Sequence, residues 1–194
     1  MFLLRKPSSS DIQIFLKQQT ASDFSYTDVG ATRSSTVPSG YIGDHNRMLL
    51  DKGAESWDRS VEAIKSWSMF EISWLELCWP NASISVESTV AVLVHHFGFY
   101  SLNPTRIVYV IDEVTEKIRR FGFAYGTLPE HSESGEERFS VEWDLVNDSV
   151  WYDIFAFSRP RALLARAASP LSRKLQKRFA RDSQLTMVNR VRRS

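Results

Sequence analysis

Hydrophobic and polar residues follow two different periods along this chain, and the order of the periods predicts its elements. The first helix is indicated by cap-forming residues at 8–11, followed by apolar residues at helical spacing, Ile12, Phe15 and Leu16. Residues 21–42 are rich in Ser, Thr, Gly and Pro and show no sustained period. Because this segment contains apolar side chains that need cover, we predict an irregular arm lying on the domain.

Strand-like alternation begins at 44–50, and Gly53 ends it. A helix is predicted next, with Trp57, Val61 and Ile64 on one face. Six strand-like runs follow without an intervening helix: 70–78, 88–96, 106–112, 118–127, 138–145 and 150–158. The breaks carry turn residues, among them Asn103-Pro104. Consecutive short strands joined by short turns predict an antiparallel meander.

An amphipathic helix predicted in two parts ends the chain. Ser158 and Pro160 indicate the start of the first part, and Ser169 and Pro170 indicate the start of the second. Apolar residues then repeat every four positions between basic ones, at Leu171, Leu175 and Phe179. Residues 186–194 are predicted to be a frayed basic tail.

This element order predicts an α+β fold in which a curved antiparallel sheet of about seven strands wraps the long C-terminal helix. It resembles the helix-grip architecture of START-like and Bet v 1-like proteins, which leaves a cavity between sheet and helix. We predict one domain over residues 1–194. Its parts are a helix and arm at 1–43, the helix-grip core at 44–185 and the tail at 186–194.

Length and composition agree with one globular core, since the chain has 194 residues of which 43% are hydrophobic. The single cysteine, Cys78, excludes an internal disulfide and predicts a reducing compartment. The apolar run at the N-terminus is too short for a signal peptide, and the uncharged stretch 88–105 has the pattern of a strand. We therefore expect a cytoplasmic protein.

Charge is distributed unevenly. Residues 159–194 contain eleven Lys and Arg against one acid, Asp182, so the rest of the chain is acidic. The basic residues are the solvated flanks of a core helix, a contact for an anionic membrane surface, or a nucleic-acid contact. No nucleic-acid-binding motif is present and the acidic body repels phosphate, which disfavours the third interpretation.

Motifs of the common enzyme classes are missing, including phosphate-binding and dinucleotide-binding glycine loops. His95 and His96 are strand neighbours that point to opposite faces and so cannot hold one metal ion. We predict no metal site and no cofactor. The acid–base groups that remain are His131, in a loop rich in carboxylates, and Glu142.

Two features of the strands indicate which surfaces are covered. In the run 118–127, Gly122 and Gly126 share one face, which predicts that the C-terminal helix or a ligand approaches the backbone there. The opposite, aromatic face needs cover from a cavity, the arm or a partner. Arg106, Glu142 and Asp153 interrupt apolar strands, and we favour outer-face or structural pairing for them over a buried acid–Arg pair that orients a ligand.

Several segments resemble one bacterial and plant family classed as a domain of unknown function, some of whose plant members are labelled chloroplast outer-envelope proteins. These segments are FSYTDVGATR (24–33), DHNR (44–47), TVAVL (89–93), RFGFAYGTLP (120–129), GEERF (135–139) and RFARDS (178–183). The resemblance implies a one-domain protein of unassigned activity, and it brings no catalytic residues to carry over.

The predicted function is binding of a small hydrophobic or amphipathic ligand in the cavity between the sheet and the C-terminal helix, in preference to an enzyme. The candidate cavity residues are Phe97, Phe99, Tyr125, Trp143 and Tyr152, with Arg106 and His95 as polar anchors. One alternative is an enzyme that uses the same cavity, with His131 or Glu142 as acid–base group. Another is a membrane-associated or channel-forming protein, indicated by the plant label and the basic helix.

Overall fold

One antiparallel sheet organises the fold in a computed structural model, which describes residues 2–79, 82–96, 98–160 and 169–192. Its strands are β1 (Phe2–Leu3), β2 (Ile42–Lys52), β3 (Leu75–Cys78), β4 (Thr89–His96), β5 (Phe99–Val114), β6 (Ile118–Thr127), β7 (Glu133–Asp144) and β8 (Ser149–Pro160). Seven of them follow the order β2-β8-β7-β6-β5-β4-β3, and short β1 pairs with β5. The predicted meander is therefore confirmed, with β2 added at one edge.

Three α-helices accompany the sheet in the part of the chain that the structure describes: α1 (Ser9–Thr20), α2 (Ala54–Lys65) and α3 (Ser169–Arg192). The predicted cap of α1 is present, since the Ser8 hydroxyl accepts from the Asp11 amide at 3.2 Å and the Asp11 carboxylate accepts from the Ser8 amide at 3.0 Å. Two 3-10 turns lie at Ala31–Ser34 and Ser68–Phe70.

The concave face of the sheet holds the main core. Residues of α2, of the 68–70 turn and of α3 pack there against inward side chains of the strands. Fully buried members of this core include Trp67, Phe123, Phe139, Tyr152 and Met187. The curved antiparallel sheet wrapped on the C-terminal helix confirms the predicted α+β helix-grip fold.

The convex face is covered by α1 and by the arm, residues 21–41. Ile12, Phe15 and Leu16 of α1 pack on outward residues of β4 and β5. Farther along the sheet, the Ser25 amide donates to the Thr127 carbonyl at 2.9 Å, which joins the arm to the end of β6.

The glycine face of β6 is covered by a different element from the predicted helix or ligand, whereas the aromatic face borders the cavity, which is one of its predicted covers. A Cβ atom on Gly126 would collide with the Tyr26 hydroxyl and with the ring of Phe24, so the arm is the element that approaches the glycine face. The aromatic side chains Phe123 and Tyr125 lie on the α3 side instead. The reason is steric, because only the face without side chains admits the arm's rings so close to the backbone.

Asn103-Pro104 does not end a strand as predicted, because β5 runs through both residues. The Pro104 carbonyl accepts from the Leu128 amide at 3.1 Å. In an antiparallel strand the nitrogen and the carbonyl of one residue point to the same side, so the Pro104 nitrogen also points toward Leu128, the residue after the end of β6. The missing N–H therefore removes no ladder hydrogen bond. The predicted strand at 70–78 is shorter than expected, since Phe70 lies in a 3-10 turn and β3 begins at Leu75.

The C-terminal region also departs from the prediction. Pro160 is the last residue of β8, and residues 161–168, where the first helical part was predicted, lie outside the described residues. The helix does not fray from 186 but continues to Arg192, with Met187 and Val191 fully buried. The Arg192 Nε donates to the Leu50 carbonyl at 2.6 Å, which fixes the end of α3 to β2.

Candidate functional site

A cavity of about 280 Å³ lies between the concave face and the first half of the described part of α3. Its walls are largely apolar, and the apolar side chains come from the sheet, the segment after α2 and the helix: Phe70, Trp74, Val92, Val94, Ile154 and Phe179. This volume is at the low end of small-molecule sites, which span roughly 300–1,000 Å³. The site therefore suits a small, mostly apolar molecule.

The position of the cavity follows from how α3 packs along its length. Its second half fills the core through Met187 and Val191, beside α2. Toward its first half the helix presents Ala180 to the cavity, and Ala156 of β8 is also part of the wall. Small side chains at these wall positions leave space that larger side chains fill elsewhere.

One polar part of the cavity wall contains a carboxyl group. Glu137 on β7 accepts a hydrogen bond from the Tyr125 hydroxyl on β6 at 2.8 Å, and both residues line the cavity. Burial raises the pKa of Glu137 to about 7, with the nearby Asp44 carboxylate acting in the same direction against the hydrogen bond. Burial and the Glu137 charge hold the pKa of Tyr125 well above its usual value.

Beside Glu137, two side-chain pairs join α3 to the strands. Arg173 forms an ion pair with Asp44 on β2, with one Nη2–Oδ1 distance of 2.8 Å. Gln176 donates from Nε2 to the Ser158 hydroxyl on β8 at 3.0 Å. In both pairs, the polar groups of the helix and the strands have hydrogen-bond partners in each other.

Histidine and amide side chains occupy other parts of the wall. His96 at the end of β4 and His131 after β6 both line the cavity. Burial lowers the pKa of His96, and the neighbouring His95 adds to this effect. The Asn103 Oδ1 accepts from the Ser132 hydroxyl at 3.0 Å, which holds the segment before β7 against β5.

Of the seven predicted cavity residues, the structure places Tyr125 in the wall, and Phe97 lies outside the described residues. His95 is exposed on the convex side of β4, where its ring stacks on Tyr100 with centroids 4.6 Å apart. Phe99 is 47% exposed at the start of β5 and is not part of the wall.

Arg106 is a structural clamp and does not reach the cavity. Its guanidinium donates to the carbonyls of Gln19, Thr20 and Ser22 at 3.0, 2.8 and 2.9 Å, at the C-terminal end of α1. Carbonyls at a helix C-terminus have no partner within the helix, so a buried cation satisfies them.

Trp143 and Tyr152 belong to the core beyond the cavity. Trp143 stacks against Trp57 of α2 with ring centroids 6.3 Å apart. The Tyr152 hydroxyl pairs with the Ser183 hydroxyl of α3 at 3.0 Å, fully buried under the helix. Both positions lie under the half of the sheet that α2 and the second half of α3 cover.

Glu142 and Asp153 lie on the convex face in ion pairs, as the favoured interpretation predicted. Glu142 joins Arg47 and Arg120 at 2.6 and 2.7 Å. Asp153 joins Arg138 at 2.8 Å and His45 at 2.6 Å. Since Glu142 faces away from the cavity, the structure corrects its prediction as an acid–base group there and keeps only His131 on the wall.

Sequence reasoning missed Glu137, which it assigned to the loop before β7. The available signal was the period of two: counting back from buried Phe139 places Glu137 on the same face. The convex neighbour, Glu136, was missed for the same reason. Its carboxylate accepts from the Tyr26 hydroxyl, the Gly30 amide and the Thr32 amide at 2.6, 2.7 and 3.0 Å.

Basic side chains of α3 are partly used within the fold. Arg173 pairs with Asp44, and Arg178 lies over the ring of Trp74 at 4.6 Å. Arg181 pairs with Asp182 at 2.9 Å. Within the described ranges, every helix is too short or too polar to be a candidate membrane span.

Comparison with known proteins gives a family match over most of the chain. Residues 25–185 match the family described as a domain of unknown function, DUF1990. A "UPF0548 protein" of Dictyostelium discoideum is 32% identical over 98% of this chain and 96% of its own length. A second, of Deinococcus radiodurans, is 34% identical over 93% and 94%. A third, of Arabidopsis thaliana, is 33% identical over 78% and 74%.

Among solved structures, a hypothetical protein of Helicobacter pylori has the same fold, with a TM-score of 0.50 at 13% identity over 79% of this chain and 88% of that one. Human STARD10 also aligns, over 92% of this chain and 80% of that one, at 11% identity and a TM-score of 0.38.

Proposed function

We propose a function for this chain from its own cavity. The chain belongs to the DUF1990 family, as its sequence segments predicted and its UPF0548 relatives confirm, and the description of this family assigns no activity. The protein is a binding module for a small hydrophobic or amphipathic ligand held between the sheet and α3. The observation that carries this proposal is the cavity itself, apolar over most of its wall and polar at Glu137 and Tyr125.

The composition of the wall supports binding of the ligand in one fixed orientation. Apolar side chains such as Val92, Ile154 and Phe179 gain free energy when a ligand displaces water from them, about 25 cal/mol per Å² of apolar surface. A few polar groups at one point then fix which end of the ligand enters first. This combination favours an amphipathic molecule over a purely apolar one.

A cavity-filling substitution tests the proposal. We expect Ala156→Phe to occupy the space between β8 and α3 and to abolish binding of the fluorescent probe N-phenyl-1-naphthylamine. The wild-type protein is expected to bind this probe with a rise in fluorescence. Native mass spectrometry of freshly purified protein is the second readout, with expected co-purified apolar material in the wild type and less in the variant.

Ala54→Phe is the matched control, because Ala54 is exposed at the start of α2 and outside the cavity. This variant should bind the probe as the wild type does. Absence of probe binding by the wild type, or equal binding by Ala156→Phe, would overturn the proposed function.

A further inference from the structure

The Glu137 carboxyl group lacks a matching positive charge among the described residues. Its one hydrogen bond comes from the Tyr125 hydroxyl, and no described Lys, Arg or His forms an ion pair with it. Its acidic neighbour Asp44 already has Arg173 as partner. A carboxyl group in an apolar wall without a cation is costly when ionised, so a cation supplied from outside the chain would stabilise it.

Aromatic rings line the same cavity as Glu137. Phe70 lies between Tyr125 and Phe179, with ring centroids 6.2 and 5.4 Å from its own. All three side chains line the cavity. Ring faces attract cations through their quadrupole, and the attraction is stronger where water is excluded. Rings and a carboxyl group together form a site for an ammonium group.

Resting on the proposed function, we infer that Glu137 anchors the ligand's head and that the ligand is a small amphipathic amine. The ammonium group donates to the Glu137 carboxylate, and the apolar tail lies along Val92, Ile154 and Phe179. A neutral hydroxyl would form a hydrogen bond but leave the carboxylate charge unmatched. A carboxylate head would add a like charge beside Glu137 and Asp44.

Three octyl compounds with different heads test this inference by displacement of N-phenyl-1-naphthylamine at pH 7.5. We expect octylamine to displace the probe at about tenfold lower concentration than 1-octanol, because a charge-assisted hydrogen bond is stronger than a hydrogen bond between neutral groups. Octanoate is expected to be the weakest. In Glu137→Gln, the preference for octylamine over 1-octanol should fall to about twofold or less.

Glu142→Gln is the matched control, since Glu142 is an ion-paired carboxylate on the convex face. This variant should keep the tenfold preference. An unchanged preference in Glu137→Gln, or equal displacement by octylamine and 1-octanol in the wild type, would overturn the amine inference alone. Failure of all three octyl compounds to displace the probe would overturn the proposed function instead.

The pH dependence of the wild type gives a measurement that needs no variant. Titratable or charged groups that line the cavity or interact with Glu137 are Tyr125, Tyr152, Asp44, Lys177, His96, His131, Glu133 and Glu136, and Arg173 pairs with Asp44 beside them. With the pKa of Glu137 at about 7, the affinity for octylamine should rise about tenfold from pH 6 to pH 8 while that for 1-octanol changes little. A falling octylamine affinity over this range would contradict the inference.

Discussion

Two adjacent carboxylates show that the pleat of a strand determines the environment of each side chain. Glu136 and Glu137 point to opposite faces of β7, as successive residues of a strand do. Glu136 receives hydrogen bonds from the arm through Tyr26, Gly30 and Thr32. Glu137 receives one, from Tyr125, and otherwise borders a cavity. The same residue type thus attaches the arm on one face and presents a carboxyl group to the cavity on the other.

The raised pKa of Glu137 predicts a pH-dependent contribution to stability. Its folded-state pKa of about 7 lies above its ordinary value of 4.5, so the folded state favours the protonated form. The stabilising contribution is therefore complete below pH 4.5 and is lost as the pH rises through 7. Relative to the wild type, Glu137→Gln should become more stable by about 3 kcal/mol as the pH rises from 4.5 to 8.

Urea unfolding of both proteins at pH 5, 6, 7 and 8 checks this expectation. Taking the difference between the two proteins cancels the titration of His96, whose lowered pKa changes stability in the opposite direction over part of the same range. Parallel stability curves for wild type and variant would show that the Glu137 carboxyl group is not perturbed.

At the scale of elements, α3 is divided into a packed half and a half that borders the cavity. Sequence patterning predicted this helix and its buried stripe but predicted fraying at 186–194, because basic residues dominate the last turns. Tertiary packing decides otherwise. Arg192 reaches the backbone of β2, and Met187 and Val191 complete the core beside α2. A high density of charged residues in a helical segment therefore does not show that the apolar residues between them are exposed.

Substitutions in the last turns of α3 test this packing. Met187→Ala should lower the free energy of unfolding by about 3 kcal/mol, since Met187 is fully buried and a cavity would remain. Leu185→Ala, two residues away and 50% exposed, should change it by less than about 0.5 kcal/mol. Equal effects in chemical denaturation would mean that the end of the helix is not part of the core.

At the scale of the whole molecule, the sheet is covered on both faces, by α2 and α3 on one side and by α1 and the arm on the other. The order and approximate limits of the strands were predictable, because an alternating pattern and turn residues are local properties. The element that covers each face was harder to predict, since the arm and not α3 lies on the glycine face of β6. That choice depends on close contacts such as that of Tyr26 with Gly126, between residues far apart in the sequence.

The sequence predicted a cavity between sheet and helix, but it did not predict most of the residues that line it. A cavity between sheet and helix follows from the element order, whereas its wall depends on the strand register and on where α3 leaves the sheet uncovered. Trp143 and Tyr152 are aromatic and inward-facing, yet they lie under the half that α2 and α3 cover. Tyr125 lies near the opposite end of the concave face and reaches the wall.

Attachment of the arm to the sheet predicts an effect on the whole fold. Glu136→Gln replaces an acceptor-only carboxylate that serves four donors, the Tyr26 hydroxyl, the Gly30 and Thr32 amides and the Thr32 hydroxyl, so at least one donor should lose its partner. We expect a loss of about 3 kcal/mol in unfolding free energy and faster amide hydrogen exchange over residues 25–34. Glu142→Gln should leave exchange in this segment unchanged. Slow exchange in Glu136→Gln would show that ring packing alone holds the arm.

The division of α3 has an evolutionary consequence. Met187 and Val191 pack the second half of the helix into the core, whereas Ala156 and Ala180 are small residues of the cavity wall. Mutations at the two alanines can therefore change the size and shape of what is accommodated while this packing stays intact. Selectivity can diverge among descendants of this protein without each new preference first requiring a compensating gain in stability.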